Sequence, residues 1–300
     1  RFFPAESGMF DIVVFDEASQ IRVADAIGAM GRASSVVVVG DSKQMPPSSF
    51  GEASTSDDAD SDATASESLT DAESILSECL SAAVPQQWLS WHYRSQDESL
   101  IAFSNLHYYE GRLSSFPAPG LGVGGGHSDR GLSLVRVGGV FERSGKGKTL
   151  RTNRKEAEAI VEEIRRRFEA SPEPVPSIGV VTFNQQQRAF IEALIRDGGD
   201  TRIIEALDST QEEGLFIKNL ENVQGDERDV ILFSTAFSVN ANGVLPLNFG
   251  PLSLEGGERR LNVAITRARR QVVLFTSFEP SQLRAEETKN VGVKHLRAYL

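Results

Sequence analysis

The sequence predicts an α/β protein with two units, each built on a parallel sheet with flanking helices. Short, β-branched and nearly all-apolar runs at residues 11–16 and 35–40 are typical of strands that are covered on both faces. A helix predicted over residues 21–30 separates them, so the order is strand, helix, strand, as in a βαβ unit. The same alternation returns in the second half of the 300 residues, a length that allows two domains.

The remaining elements follow from the same patterns. The first half continues with predicted helices at 72–83 and 97–108, an extended segment at 88–94 and a glycine-rich loop at 117–130. In the second half, strands are predicted at 132–137, 178–183, 229–235 and 271–276, and helices at 154–168, 185–196 and 258–268. We expect a first domain at residues 1–85, which holds an incomplete unit, and a second at 86–300.

Composition excludes several classes of protein. Hydrophobic residues at 40% and charged residues at 24% are ordinary for a globular chain, and the longest aliphatic run, at 36–39, is too short to cross a bilayer. The single cysteine, Cys79, excludes an internal disulfide and fits a reducing compartment. A cytoplasmic protein without a membrane partner is expected.

The net charge of −11 is concentrated in one segment. Residues 51–73 contain eight acidic residues, no Lys or Arg, and few large apolar side chains. We expect a disordered, solvated surface insertion there, and the alternative is an acidic segment that occupies a nucleic-acid groove. Because the rest of the chain is much less acidic, the overall charge does not exclude a nucleic-acid partner.

Two carboxylates follow the first predicted strand. Asp16 and Glu17 stand at the carboxyl end of a parallel strand, where α/β proteins gather their ligands. In this position Asp16 can hold Mg²⁺, directly or through water, and Glu17 can accept a proton from a water that attacks a γ-phosphate. Taken alone, the pair is equally compatible with two solvated loop acids.

A second polar loop follows the next predicted strand. From Gly40 it reads Gly-Asp-Ser-Lys-Gln-Met-Pro-Pro, which places Asp41 and Gln44 after the strand end. Since neighbouring parallel strands end at the same edge of a sheet, we expect the two loops to lie together. Gln44 can then orient the attacking water or contact the γ-phosphate. The two loops favour nucleotide hydrolysis over the alternative of a rigid polar turn.

These loops resemble a known family. Residues 11–50 resemble motifs II and III of superfamily 1 helicases, in the branch with a DEASQ-like box, and residues 91–95, 222–229 and 261–270 are similar to motifs IV, V and VI. The branch includes the RNA helicase of nonsense-mediated decay and replication nuclease-helicases. The motif sequences look most similar to those of large bacterial multidomain helicase-like proteins. The resemblance implies RecA-like domains of the P-loop NTPase type, one partial and one complete.

The resemblance also implies roles for two arginines. Arg94 and Arg267 would reach the γ-phosphate of ATP when the domains close and would supply the delocalised charge that phosphoryl transfer requires. For Arg267 the alternative is a surface arginine at a basic helix end. Arg269 and Arg270 are expected to support the fold or the cleft.

Further nucleotide contacts are implied in the same way. Tyr93 would stack on the adenine and Glu227 would hydrogen-bond the ribose, as the matching positions do in the family. Asp41, Gln224 and Gly225 belong to the same nucleotide-binding motifs. The cofactors implied are ATP and Mg²⁺.

Single-stranded nucleic acid is the partner that the resemblance implies, and DNA is favoured over RNA. Thr182 and Asn184 end a predicted strand, and Asn222 stands where the family usually has a Ser that touches the nucleic-acid backbone. These three residues are candidate nucleic-acid contacts. Capping of strand ends and turns explains them equally well.

The Walker A loop of the family is not found in the sequence. Only fifteen residues precede Asp16 and none form Gly-x-x-x-x-Gly-Lys-Ser/Thr. Gly147-Lys148-Thr149 resembles its end, yet the first glycine position is occupied by Glu142. We therefore expect an N-terminal part of the motor that carries Walker A, and an attached nuclease domain is compatible with the resemblance.

The interpretation is a segment of an ATP-dependent helicase that couples ATP hydrolysis to movement on single-stranded nucleic acid. Alone, it is expected to be nearly inactive, because the triphosphate lacks the Lys and backbone amides of Walker A. The alternative is a catalytically inactive RecA-like module that binds nucleic acid or another protein.

Overall fold

The computed structural model describes residues 3–4, 6–47, 74–118, 129–143, 150–209 and 213–300. The acidic insertion expected at 51–73 and the Gly147-Lys148-Thr149 sequence lie outside the described residues. The chain divides into two compact units, Arg1–Trp88 and Leu89–Leu300. The division falls just after Trp88, three residues beyond the boundary expected from the sequence at residue 85.

Unit 1 contains one βαβ arrangement followed by a further helix. Its elements are β1 (Phe10–Phe15), α1 (Val23–Met30), β2 (Ala33–Val38) and α2 (Ile75–Ser81). The strands pair in parallel with Val14 opposite Val37, as the strand, helix, strand order predicted. The Ser74 hydroxyl caps α2 by accepting the amide of Ser77, and Ile75 donates its amide to Ile21 O at 2.9 Å.

The two faces of the unit 1 sheet differ. Phe15 and Val38 pack against a small core formed by Ala18, Ala26 and Ile75. On the other face, the exposed fractions of Ile12, Val14 and Val37 are 53%, 59% and 41%. The prediction that both faces are covered is therefore wrong for the described residues. Side chains alternate along a strand, and both described helices pack on one side.

Unit 2 is the larger α/β unit. Its first elements are β3 (Trp91–His92), α3 (Ser99–Tyr108), β4 (Ser114–Ser115), β5 (Gly131–Arg136), α4 (Arg154–Ala170), β6 (Ile178–Thr182) and α5 (Gln185–Gly198). The chain continues through α6 (Thr201–Asp208), β7 (Phe216–Asn219), β8 (Arg228–Ser238), α7 (Gly257–Ile265), β9 (Ala268–Ser277) and α8 (Val291–Tyr299). β3 and β4 form a short parallel pair, in which Trp91 lies opposite Ser114.

The main sheet of unit 2 is parallel throughout and has the strand order β5-β9-β8-β6-β7. The non-sequential order requires crossover connections, which helices supply in α/β proteins. β6 and β8 are buried along nearly their whole length, as expected for central strands covered on both faces. The parallel α/β architecture predicted from the sequence is confirmed.

Helices α4 and α5 cover one face of this sheet. The predicted apolar stripe of α4 is buried and consists of Ala157, Ile160, Val161, Ile164 and Phe168. The side chains of Phe190, Ile191 and Ile195 on α5 join the same core, together with Ile178, Val180 and Leu232 from the sheet. Burial of these apolar side chains stabilises unit 2.

A buried polar network lies beneath the amino end of α4. The carboxyl group of Glu156 is fully buried and accepts hydrogen bonds from Ser234 Oγ, Thr235 Oγ1 and the amide of Ala236. Asn153 caps α4 and donates its side-chain amide to Ala236 O. Burial raises the pKa of Glu156 to about 8, although these hydrogen bonds oppose the shift.

Four of the labelled elements of unit 2 were not predicted: β4, α6, β7 and α8. α6 begins directly after the glycine end of α5, where Gly199 has a φ of 68° and Asp200 accepts the amides of Arg202 and Ile203. Glycine is a common signal for the end of a helix and aspartate for the start of one, so the Gly199-Asp200 sequence could have predicted this junction. β7 has only four residues, too few to show a period, and α8 follows short turns near the end of the chain.

No helix in the described part of the chain has the length and apolar character that a membrane crossing requires.

Candidate functional site

Asp16 and Glu17 form the loop directly after β1. The backbone amide of Glu17 donates to Asp16 Oδ1 at 2.8 Å, and both side chains are exposed. Glu17 has a left-handed backbone, with φ of 50° and ψ of 37°, and precedes a 3-10 turn over Ala18–Gln20. The carboxyl group of Glu17 accepts Gln20 Nε2 at 3.2 Å. A non-glycine residue in this conformation is strained, which is common where a loop positions a reactive group.

The loop after β2 lies beside the first loop. The amide of Ala18 donates to Val39 O at 2.9 Å, which joins the two strand exits. Gly40 allows this approach, because a Cβ there would lie 3.0 Å from the Ser19 nitrogen and 3.2 Å from the Ala18 nitrogen. The adjacency of the two loops expected from the parallel strands is thus present within unit 1.

Asp41 organises the second loop. Its carboxylate accepts the backbone amide of Lys43 at 2.8 Å and Gln44 Nε2 at 3.0 Å. Gln44 is partly buried at the edge of the sheet, and its side-chain amide donates to the Asp41 carboxylate. The bond from Gln44 to Asp41 fixes the orientation of the amide, with its carbonyl oxygen directed away from Asp41.

Asp16 has the chemistry to hold Mg²⁺. This ion typically binds one or two carboxylates, while substrate phosphates and water complete its ligands. The described residues include no cluster of three or more His, Cys, Asp or Glu side chains that could hold a metal by themselves. Asp16, whose carboxylate is exposed and held by the Glu17 amide, fits the role of a single protein ligand to an ion that arrives with a nucleotide.

In unit 2, β3 leads into Tyr93 and Arg94. Tyr93 is 81% exposed, so its ring presents a face to solvent. Trp91, on the same side of the extended segment, is 62% exposed and lies with its ring centroid 5.7 Å from that of Phe116. Arg94 points the other way and donates Nε to Glu227 Oε2 at 2.5 Å. The segment therefore separates aromatic rings from a charged side chain.

The segment before β8 supplies Gln224, Gly225 and Glu227. Gly225 has a φ of 89°, and nothing lies within 4 Å of the place where a Cβ would be. The side-chain nitrogen of Gln224 is buried and has no hydrogen-bond partner among the described residues. Partial burial would raise the pKa of Glu227, yet the hydrogen bond from Arg94 and the charges of nearby arginines lower it overall. Glu227 is therefore a carboxylate at neutral pH.

Arg267 follows α7 and is almost fully buried, with 3% of its surface exposed. Its Nε donates to Val263 O at 2.8 Å, and its Nη2 donates to Thr266 Oγ1 at 3.3 Å. Sequence reasoning predicted an arginine that reaches a phosphate, and the structure places the guanidinium on its own helix end. Its backbone oxygen accepts the amide of Arg228, so Arg267 lies next to the start of β8.

His92 lies near both predicted phosphate-binding arginines. Its Nε2 is within 2.8 Å of Ser95 Oγ and accepts the Ser95 amide at 3.2 Å. Burial and the positive charges of Arg94 and Arg267 lower the pKa of His92 to about 4. His92 is therefore a neutral acceptor that fixes the turn carrying Arg94. The sequence alone gives His92 no role, since one of the two arginines near it in space, Arg267, comes from a distant part of the chain.

Arg269 is the most heavily bonded arginine of this region. Its guanidinium donates to Asp229 at 2.7 Å and to both carboxylate oxygens of Glu213 at 2.8 and 2.6 Å. Its Nη1 is also 3.5 Å from Glu227 Oε1. The hydrogen bond from Arg269 lowers the pKa of Glu213 to about 2. Arg269 was expected to support the fold or the cleft, and its place beside Glu227 was not foreseen.

The three candidate nucleic-acid contacts lie at one end of the unit 2 sheet. Thr182 pairs with Asn219 where β6 and β7 end, and Asn222 follows three residues later. Thr182 is fully buried and donates its hydroxyl to Asn184 O, while Asn184 caps α5 by accepting the amide of Gln187. Asn222 is exposed. The contacts of Thr182 and Asn184 are those of capping residues, and Asn222 is the accessible member.

A comparison of the sequence with known families defines the class to which the chain belongs. Residues 72–279 match the family described as AAA domain, and the chain belongs to this family. The similarity to ATP-dependent helicases confirms the resemblance to superfamily 1 helicases.

Two relatives illustrate the similarity. The chain is 32% identical to an uncharacterized ATP-dependent helicase of Mycoplasma genitalium, in an alignment that covers 99% of this chain and 26% of that protein. It is 26% identical to the DNA polymerase alpha-associated DNA helicase A of Saccharomyces cerevisiae, over 97% of this chain and 41% of that protein. The chain thus spans about a quarter of the length of the Mycoplasma relative.

Among solved structures, the chain is similar to the PRRSV helicase. The superposition has a TM-score of 0.39 and 14% identity, and it covers 88% of this chain and 34% of that chain.

Proposed function

We propose that the chain is part of an ATP-dependent helicase motor that couples ATP hydrolysis to movement on single-stranded nucleic acid. The joined loops of unit 1 carry the proposal, because a backbone hydrogen bond connects the loop that holds Asp16 and Glu17 to the strand exit that leads to Asp41 and Gln44. Paired carboxylates next to an oriented amide are suited to phosphoryl transfer to water. The membership of the family and the helicase relatives support the same function.

Within unit 1 each residue has a distinct proposed task. Asp16 holds Mg²⁺, and the ion, when bound, neutralises charge on the triphosphate. Glu17 accepts the proton of the attacking water, since its carboxylate is exposed and is oriented by Gln20. Asp41 fixes Gln44, whose amide orients the water or contacts the γ-phosphate.

Unit 2 supplies the residues proposed to bind and polarise ATP. Tyr93 offers an exposed ring on which the adenine stacks, and Gln224 and Gly225, in the motif that also holds Glu227, contact the nucleotide. Arg94 supplies positive charge to the γ-phosphate. Arg267 is proposed to do the same, which requires its guanidinium to exchange its bonds at the end of α7 for bonds to the phosphate.

The remaining parts of the proposal come from the resemblance and the relatives. Single-stranded DNA, favoured over RNA, would contact the strand ends of unit 2 through Asn222, while the capping residues Thr182 and Asn184 hold these ends in place. An N-terminal part of the motor would carry Walker A, and a nuclease domain can be attached to it. We place the protein in the cytoplasm, which fits a chain with one cysteine.

The test is ATP hydrolysis by the full-length protein with and without single-stranded DNA and RNA. We expect nucleic acid to stimulate turnover, and Glu17→Gln to lower kcat by about a hundredfold or more while nucleotide binding persists. The polymer that stimulates more strongly is the substrate. A full-length protein that contains Walker A and shows no turnover would support the catalytically inactive module instead.

A further inference from the structure

Glu227 lies between two arginines that come from different parts of unit 2. Arg94, after β3, donates Nε to Glu227 Oε2 at 2.5 Å, and Arg269, in β9, brings Nη1 to within 3.5 Å of Glu227 Oε1. Each carboxylate oxygen thus faces one guanidinium. A carboxylate that is bound on both sides has a fixed orientation. It therefore also restricts the orientation of the arginine that donates to it.

Arg269 is itself fixed by three further groups. Asp229, Glu213 and Ser177 Oγ accept its remaining N–H groups at 2.6 to 3.2 Å. Its backbone oxygen accepts the amide of Gln96, two residues after Arg94, at 2.7 Å. Arg269 therefore holds the Arg94 segment in two ways, through its main chain at Gln96 and through Glu227 at the side chain.

The bond to Glu227 engages Arg94 through Nε, at the base of the guanidinium. The two terminal nitrogens have no hydrogen bond among the described residues. An arginine that is anchored at Nε and open at Nη1 and Nη2 is prepared to bind two phosphate oxygens at once. The side chain of Arg94 is 32% exposed, so a ligand can reach it.

We propose that Arg269 is a positioning residue for ATP hydrolysis, which acts through Glu227 to aim Arg94 at the γ-phosphate. This rests on the proposed function of the chain. It gives Glu227 a task different from the ribose contact implied by the family resemblance, since both its oxygens face arginines. Pre-orientation of a charged group lowers the barrier because no reorganisation is needed when charge develops.

Steady-state ATP hydrolysis by the full-length protein tests the proposal. We expect Arg269→Gln to lower kcat by about tenfold, because Glu227 then loses the ion pair on its second carboxylate oxygen, with little change in KM for ATP. Glu227→Gln should also lower kcat by about tenfold, with little change in KM for ATP. The neighbouring Arg270→Gln is the matched control, because the one ion pair of Arg270 with a described residue is a 3.7 Å contact with Asp229, and its kcat should stay within about twofold.

A double-mutant cycle separates positioning from general support of the fold. In a protein that already carries Arg94→Ala, Arg269→Gln should change kcat no further, because the residue on which it acts is gone. An equal loss of kcat in both backgrounds would overturn the proposal. So would an unchanged kcat in Arg269→Gln, or a loss that appears in KM alone. If Arg269→Gln does not fold, Arg269→Lys, which keeps the charge and loses the planar fork, is used in the same cycle.

A second measurement does not depend on turnover. Nitrogen-15 spectra of the arginine side chains in the 300-residue chain report exchange of the Arg94 Nε–H group, identified by its loss in Arg94→Lys. We expect slow exchange in the wild type and faster exchange in Arg269→Gln. Equal exchange in both overturns the proposal even if the wild type hydrolyses no ATP. An inactive wild type with the expected exchange would contradict the proposed function alone.

Discussion

The amide of Ala236 donates a hydrogen bond of 2.5 Å to the carboxyl group of Glu156, and Ala236 has a left-handed φ of 65°. Left-handed backbone is unfavourable for a residue with a Cβ, so a strong local contact is needed to hold it. The acceptor comes from the first turn of α4 and the donor from β8, which joins a helix start to a strand near its end. This contact fixes the course of the chain after Thr235.

The raised pKa of Glu156 predicts an unusual pH dependence of stability. The pKa is about 8 in the folded chain and 4.5 for a solvent-exposed glutamate, so between these values the folded state holds a proton that the unfolded state has lost. Stability therefore falls as the pH rises from about 5 to 8. Urea unfolding of the chain across this range measures it.

The isosteric variant Glu156→Gln should have a flatter stability curve than the wild type over the same pH range. Glu158→Gln, on the exposed side of α4 beside Arg154, is the control and should keep the wild-type curve. Identical curves for the wild type and Glu156→Gln would contradict the assignment of the raised pKa to Glu156.

The lowered pKa of His92 predicts a pH dependence of stability opposite to that of Glu156, and at lower pH. Its pKa of about 4 in the folded chain lies below the ordinary histidine value of 6.5, so the unfolded state binds a proton first as the pH falls. The stability due to a neutral His92 is lost as the pH falls from 6.5 to about 4. We expect His92→Gln to lose less stability than the wild type over this range, measured by thermal unfolding. A pH dependence of stability in His92→Gln equal to that of the wild type would refute the prediction.

Gly40 predicts a local defect in unit 1. A Cβ at this position would lie 3.0 Å from both the Ser19 nitrogen and Leu76 Cδ2, so Gly40→Val forces the two strand exits apart. We expect a loss of about 1–3 kcal/mol in the free energy of unfolding and a lower kcat in the full-length protein. Gly31→Ala is the control, since its nearest atom is 3.5 Å away. Normal turnover in Gly40→Val would show that the spacing of the loops is unimportant.

Tyr93 predicts an effect on nucleotide binding without an effect on stability. Because its ring is 81% exposed, Tyr93→Ala should leave the melting temperature unchanged. The loss of stacking on the adenine should raise KM for ATP by about three- to tenfold, while Tyr93→Phe keeps the ring and the wild-type KM. Steady-state kinetics of the full-length protein measures both variants. A KM for Tyr93→Ala equal to that of the wild type would remove Tyr93 from the nucleotide site.

The candidate nucleic-acid contacts predict two different outcomes. Thr182→Val removes a buried hydroxyl that donates to Asn184 O, so it should cost about 1 kcal/mol of stability and leave affinity for single-stranded DNA unchanged. Asn222→Ala alters an exposed side chain and should weaken binding without changing stability. Fluorescence anisotropy with a labelled oligonucleotide compares them. If Thr182→Val binds the oligonucleotide more weakly while its stability is normal, Thr182 contacts the nucleic acid directly.

The sequence was sufficient to predict elements whose pattern is strong. The apolar stripe of α4 and the buried runs of β6 and β8 each follow from local residues and are present. The positions of Asp16 and Gln44 also follow, because parallel strands end at a common edge. The prediction that β1 and β2 are covered on both faces was wrong. A pattern of apolar residues does not tell whether a packing partner lies on each face of the sheet.

The partners of charged residues were the least predictable feature. Arg94 and Glu227 are 133 positions apart, and no local pattern relates them. The burial of Arg267 was also missed, because a basic helix end does not show which side chains turn back onto the helix. Such pairings depend on the order of strands in the sheet, which periodicity does not determine.

The exposed ring of Trp91 gives the protein an intrinsic optical signal. The chain has only two tryptophans, and the other, Trp88, ends unit 1 with 42% of its surface exposed. Indole emission depends on contact with water, so a nucleotide that settles on Tyr93, two residues from Trp91, should alter the emission spectrum without any attached dye. Binding could then be followed in real time in the unlabelled wild-type chain.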